Sequence, residues 1–305
     1  MPRRRRSLVG AHVPVTRGLA TGGLAHADRI GAEAVQVFIT NPRGWAPAAG
    51  KPEEDNAFRE GCSARGMPAF VHAPYLINLA SPTPATRTNS VAAVLHSLRR
   101  GAEIGAAGVV VHAGSAVGDA RREEALRRVR EALLPVLDAM PDGAPRLLIE
   151  PTAGGGCALA ARIADLPEYL ANLDHHPLLG VCLDTCHAFA AGEDLGTPAG
   201  MRRALTALDR GVGRGRLGLI HANNSRDERG STRDRHAGIG AGRIGALSFG
   251  VLFSHPVSRG VPVVVETGED TQAADVAALR GLRDAAEAGA RRSTRLGIRT
   301  APTTR

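Results

Sequence analysis

The sequence predicts one (β/α)8 barrel, and three observations carry that expectation. Short apolar runs alternate with helical stretches eight times over. Runs such as Val109-Val110-Val111 and Val263-Val264-Val265 are apolar at every position, as strands covered on both faces must be. A chain of 305 residues with 43% hydrophobic content can bury the core of one large barrel.

In chain order, the first strand is expected at 8–12 with a helical stretch near 19–30, and the second at 34–39 with one near 53–65. The third at 69–72 leads to a helix near 88–104, and the fourth at 108–112 to one near 121–140. Strands at 146–150, 179–184, 217–221 and 260–266 follow, each with helical sequence after it, the last helix lying near 271–290. There is no fixed-length repeat and no long linker, so residues 7–290 are expected to form one domain. The exception to the pattern is 222–245, too long for an ordinary strand-to-helix loop and rich in Asn, Ser, Arg and Gly. Loops of that length in a compact domain are usually functional or disordered.

The net charge of +8 is unevenly placed. Arg3, Arg4, Arg5 and Arg6 lie at one end and Arg291, Arg292, Arg295, Arg299 and Arg305 at the other, with no acid in either segment, which leaves about −1 for the middle. The ends 1–6 and 291–305 are therefore read as disordered basic tails that raise non-specific affinity for DNA without showing that the body binds it. No run is apolar and long enough to cross a membrane, and the start is too polar for a signal peptide, so a cytoplasmic protein is expected. Cys62, Cys157, Cys182 and Cys186 form no Cys-x-x-Cys and read as reduced core thiols, with Cys186 a conceivable metal ligand.

Barrel active sites form at the carboxyl ends of the strands. From the third strand on, those ends are His72, His112, Glu150, Asp184, His221 and Glu266, each about one strand-helix unit after the last, so they converge on one mouth. An isolated Asp184-x-x-His187 would equally suit a helix cap. Six consecutive strand ends of metal-binding type are not explained that way. His187 adds a seventh donor, and Asp234-Arg235-His236 in the long seventh loop adds two more. Nine oxygen and imidazole donors are too many for one four-coordinate zinc and suit two or three ions with a bridging carboxylate. Ions about 3.5 to 4 Å apart can activate water and stabilise a leaving oxygen, which makes phosphodiester hydrolysis the natural reaction class.

Six segments together resemble the endonuclease IV family of apurinic/apyrimidinic endonucleases. They are Val71 to Ala80, Val111-His112-Ala113-Gly114-Ser115, Ile149 to Gly154, Leu183 to Leu195, Asp234-Arg235-His236 and Val265-Glu266-Thr267. The resemblance runs from Gly10-Ala11-His12-Val13 to Glu266, nearly the whole barrel. It implies three zinc ions: His72 and His112 on the first, Glu150 bridging to the second, Asp184, His221 and Glu266 completing the second, and His187, Asp234 and His236 on the third. It also implies cleavage 5′ to an abasic site in duplex DNA, by a monomer, with Glu150 beside the attacking hydroxide and no side chain as nucleophile. Asn41, Arg43 and Trp45 after the second strand and Tyr75 and Leu76 after the third match positions that the family inserts at the lesion.

Arg226, Arg229 and Arg233 in the seventh loop are candidate phosphate contacts. His12 ends the first strand and reads as packing beside the site. Gly154-Gly155-Gly156 reads as a tight turn. Asn224, Ala241 and Ala73-Pro74 depart from the family's usual residues, which touches tuning of the site more than its donors. The rival reading is a sugar isomerase or epimerase on a xylose-isomerase-like barrel. Such enzymes generally use one or two ions, and His187, Asp234 and His236 argue against it.

Overall fold

The structure is a computed structural model and describes residues 6–118 and 121–295. Eight parallel strands close into a barrel: β1 Val9–His12, β2 Val35–Val37, β3 Ala69–His72, β4 Gly108–His112, β5 Arg146–Glu150, β6 Leu179–Asp184, β7 Leu217–His221 and, after a small hairpin, β10 Val263–Val265. Each pairs with its sequence neighbours and β10 closes on β1, with Val9 opposite Val263 and Ala11 opposite Val265.

Helices cover the outside. The first are α1 Ala25–Ile30, α2 Pro52–Arg65, α3 Pro84–Glu103, α4 Arg122–Asp138 and α5 Leu166–Asn172. Then come α6 Thr185–Ala190, α7 Pro198–Val212, α8 Ala246–Phe249 and α9 Glu269–Arg295. Local chemistry sets their ends: α2 starts at Pro52 with Glu53, Glu54 and Asp55 in its first turn, and stops at Gly66, whose φ of 60° suits glycine.

Two apolar layers result. The larger lies between strands and helices, and a second, made of Ala34, Phe70, Val110, Leu148, Cys182, Leu219 and Val264, fills the barrel interior. A Cβ on Gly180 or Gly218 would come within 2.6 or 2.7 Å of Leu148 Cδ2, so those glycines make room for the leucine. Side chains two residues apart on a strand share a face. The next interior layer toward the carboxyl ends is therefore Gln36, His72, His112, Glu150, Asp184, His221 and Glu266. The site is the layer above the barrel core.

Four local readings need correction. The helix expected near 19–30 divides into a π-helical turn, Leu19–Leu24, and α1, because Gly22-Gly23 weakens the first half. The long seventh loop contains a two-stranded antiparallel hairpin, β8 Asn224–Ser225 with β9 His236–Ala237. The last helix runs to Arg295, five residues past the expected end, since the Ala- and Arg-rich sequence contains no proline to stop it. Arg6 is not part of a free tail: it pairs with Asp284 and Glu287 of α9. The tail arginines at 3–5, 299 and 305 lie outside the described residues.

Candidate metal centre

Strand ends deliver most of the donors, and Glu150 is at their middle. Its Oε2 lies 3.4 Å from Nε2 of both His72 and His112. Its Oε1 lies 2.9 Å from His221 Nδ1 and 3.4 Å from His187 Nδ1. His221 Nδ1 is also 3.2 Å from Glu266 Oε2 and 3.9 Å from Asp184 Oδ2. Glu266 sits one residue past β10 and still faces the centre.

The other donors come from α6 and the hairpin. Asp184 ends β6 and caps α6, its Oδ1 accepting from His187 N at 2.9 Å, so the cap reading and the donor reading both hold for its two oxygens. The cap places His187 over the mouth. Pairing of Ser225 with His236 returns the chain so that Asp234 bridges His187 Nε2 at 3.1 Å and His236 Nε2 at 3.0 Å.

Donor atoms of His72, His112 and Glu150, of Glu150, Asp184, His221 and Glu266, and of His187, Asp234 and His236 each lie within 4.8 Å of one another. These are the three sets implied by the sequence resemblance. Two ligand atoms about 2.1 Å from a tetrahedral ion lie about 3.4 Å apart, the separation found between Glu150 Oε2 and both histidines. Moreover, Glu150 Oε2 is buried without a hydrogen-bond partner, which a coordinated cation would supply. The donors fit a metal.

Tautomers are set from outside. His72 Nδ1 donates to Ala73 O at 2.7 Å and His187 Nδ1 to Pro151 O at 3.1 Å, which leaves Nε2 of each free to bind. Opposed charges face one another within the cluster. Burial disfavours the Glu150 carboxylate, yet His221 and the facing imidazoles of His112 and His187 hold its pKa well below the usual range. Against the cost of burial, Asp184 and Asp234 push His187 well above its ordinary value, and Cys182, Glu266 and Glu150 do the same for His221. His236 is pushed up to about 9, where its hydrogen bond to Asp234 and the charge of Asp184 outweigh burial. For Asp184 burial wins, and its pKa rises.

Tyr75 and Leu76, in the loop after β3, are exposed, and Trp45, also exposed, lines a groove with Pro74 and with Ala92, Leu95 and His96 of α3. Tyr75 stacks on His112 with ring centroids 5.7 Å apart and meets His72 edge-on, and its backbone N–H donates to Pro42 O, joining the second and third loops. Asn41 Oδ1 accepts from Arg43 N and shapes the second loop. Arg226 donates to His236 O and Arg229 to Gly192 O, while Arg233 approaches Asp227 at 3.8 Å, all three being exposed beside the hairpin.

Cys186 is buried, its thiol pushed up to about 12 by burial, and its Sγ lies within 4.8 Å of donor atoms of Asp184 and His236. Cys157 is exposed, contrary to the expectation of four core thiols. Asn224 is accommodated as an amide: Nδ2 donates to Ile244 O, which a carboxylate could not do.

Two residues of the site escaped the sequence reading. Asn223 Nδ2 donates to Asp184 Oδ2 at 2.7 Å and Glu266 Oε2 at 3.0 Å. Gln36, fully buried, reaches His12, His221 and Glu266. The two-residue period from Ala34 points to Gln36, but the list of strand ends began at the third strand and admitted only metal-binding side chains.

The fold and donor set define a class, a TIM barrel with a candidate multi-ion centre, and a family model described as a xylose isomerase-like TIM barrel matches residues 24–302. A relative from Streptomyces coelicolor called "Probable endonuclease 4" is 56% identical over 92% of this chain and 96% of its own. Endonuclease IV from Thermus thermophilus superposes with a TM-score of 0.79 at 36% identity, covering 91% of this chain and 99% of that one. The chain belongs to the endonuclease IV family. An L-ribulose 3-epimerase structure also superposes, with a TM-score of 0.69 over 98% of this chain and 100% of that one, but at 16% identity it shares the fold alone. No helix among the described residues is long and apolar enough to cross a membrane.

Proposed function

We propose that this protein is a zinc-dependent DNA-repair endonuclease. It acts as a monomer and hydrolyses the phosphodiester bond 5′ to an abasic site in duplex DNA, leaving a 3′-hydroxyl and a 5′-deoxyribose phosphate. The observation that carries the reading is the meeting of three donor groups around Glu150, with the exposed Tyr75 stacked on His112 beside them. Family membership supports it. Zinc suits these imidazole and carboxylate donors. His72, His112 and Glu150 would hold one ion, Glu150, Asp184, His221 and Glu266 a second, and His187, Asp234 and His236 a third. Bound there, such ions supply a nucleophilic water at neutral pH and neutralise charge on phosphate and on the departing oxygen.

The chain's own residues hold and shape the substrate. An abasic nucleotide has little stacking to lose, so it leaves the duplex at lower cost than an intact one. Tyr75, Leu76 and Trp45 would occupy the gap, and Asn41 and Arg43 would contact the strand from the second loop. Arg226, Arg229 and Arg233 offer positive charge to flanking phosphates. Glu150 contributes position and charge rather than attacking: its two oxygens face different donor groups, and no side chain is needed as nucleophile.

Incision of a duplex carrying a tetrahydrofuran abasic analogue, without added magnesium, tests the reading. The analogue cannot undergo β-elimination, so a nick requires hydrolysis. No incision by zinc-replete protein would overturn the assignment. A Glu150→Gln control is expected to lose at least about 100-fold in rate while remaining folded. The epimerase-like fold leaves one competing reading, and metal analysis separates the two: no more than one tightly bound ion per chain would favour a sugar isomerase or epimerase.

A further inference from the structure

Gln36 lies on β2, two strands from β10 and three from β7, yet its amide spans the interior to both. Nε2 is 2.6 Å from Glu266 Oε1 and 2.9 Å from His12 Nδ1, and Oε1 is 2.8 Å from His221 Nε2. The amide's orientation follows from its partners. An ionised carboxylate can only accept, so the atom facing Glu266 must be the amide nitrogen. The amide oxygen therefore faces His221, and His221 Nε2 must carry the hydrogen that it accepts. In the neutral imidazole, the form that binds a cation, the lone pair is then on Nδ1, the atom turned to Glu150, Asp184 and Glu266.

His72 and His187 obtain the same control from backbone carbonyls. His221 has no such carbonyl: among the described residues the acceptor at its Nε2 is Gln36. Asn223 braces Glu266 from the other side through Oε2 and also accepts from its N–H. Between the two amides, Glu266 has little freedom to turn.

We propose that Gln36 is a positioning residue for the middle donor group: it reads the orientation of Glu266 and sets the tautomer of His221, so that both present one oxygen and Nδ1 to the same cation. The proposal rests on the zinc reading above and extends it to a residue that is not itself a donor. A side chain that only filled space could be replaced by methionine, which has similar length and bulk but no amide.

The test compares wild-type protein with Gln36→Met by zinc-chelator competition and by nitrogen-15 spectra of labelled histidines in the zinc-loaded state. In wild type, His221 is expected to be protonated at Nε2, with a slowly exchanging proton. Gln36→Met is expected to bind one of its ions about 10- to 100-fold more weakly while retaining the others. A His221 protonated at Nδ1 in zinc-loaded wild type would overturn the proposal even if the variant did not fold. Equal affinity of the two proteins for every ion would overturn it while leaving the zinc reading intact. Failure of wild type to bind zinc at all would remove that reading and the proposal with it.

Discussion

Asp184 and His187 are three residues apart and joined by a cap hydrogen bond, yet they belong to different donor groups: Asp184 is grouped with Glu150, His221 and Glu266, and His187 with Asp234 and His236. Their substitutions should therefore differ in kind. His187→Ala removes one of three donors around Asp234 and is expected to leave two zinc ions per chain. Asp184→Ala takes a carboxylate from the group containing Glu150 and removes the cap of α6, so incision should fall with it and stability should drop by about 1 kcal/mol. Zinc counts on desalted protein, read beside thermal unfolding, check both; a His187→Ala protein that kept three ions would contradict the grouping. At this scale the sequence was legible where chemistry alone identifies a residue. His72, His112, Glu150, Asp184 and His221 are all metal-capable and close a strand, and Glu266 follows one directly. Gln36 and Asn223 were not legible, because an amide earns its role only through the distances to its partners, which no spacing rule supplies.

Alternation along the strands links this layer to the one beneath it, and Leu148 is the side chain around which that lower layer packs. It is 1% exposed, with Gly180 and Gly218 reduced to backbone against it. Leu148→Ala leaves a cavity that glycine neighbours cannot fill, and is expected to cost about 2 to 5 kcal/mol in denaturant unfolding. Zinc stoichiometry should be unchanged, since Glu150 is held through β4 and β6 on either side. Strand positions could be read from sequence because an apolar run of four to six residues suffices to mark one. The β8 and β9 hairpin could not: two-residue strands carry no periodicity, and their pairing is stabilised by the turn and by contacts such as Arg226 N to Arg235 O. The π-helical turn at Leu19–Leu24 escaped for a related reason, as a helical pattern does not distinguish one hydrogen-bond spacing from another.

Across the whole chain, positive charge is concentrated at the two ends and the barrel between them is close to neutral. That separation divides two kinds of DNA affinity. On the function proposed above, lesion recognition would belong to the mouth, where Tyr75 stacks on His112 beside the donors, and would depend on shape. Affinity for undamaged duplex should depend on counterion release by arginines, with a slope of log K against log salt of about −0.9 per phosphate neutralised. Removing residues 1–5 and 296–305 would delete Arg3, Arg4, Arg5, Arg299 and Arg305 while leaving Arg6 on Asp284 and α9 complete. The shortened protein is expected to bind undamaged duplex more weakly at low salt, with a shallower salt slope by up to about 4.5 if every deleted arginine meets a phosphate. Its incision rate at saturating abasic duplex should match that of the full chain, because none of the nine donors or the mouth residues is lost. A fall in the saturated rate would place the arginines in the incision step itself, whereas an unchanged slope would mean that they do not touch DNA.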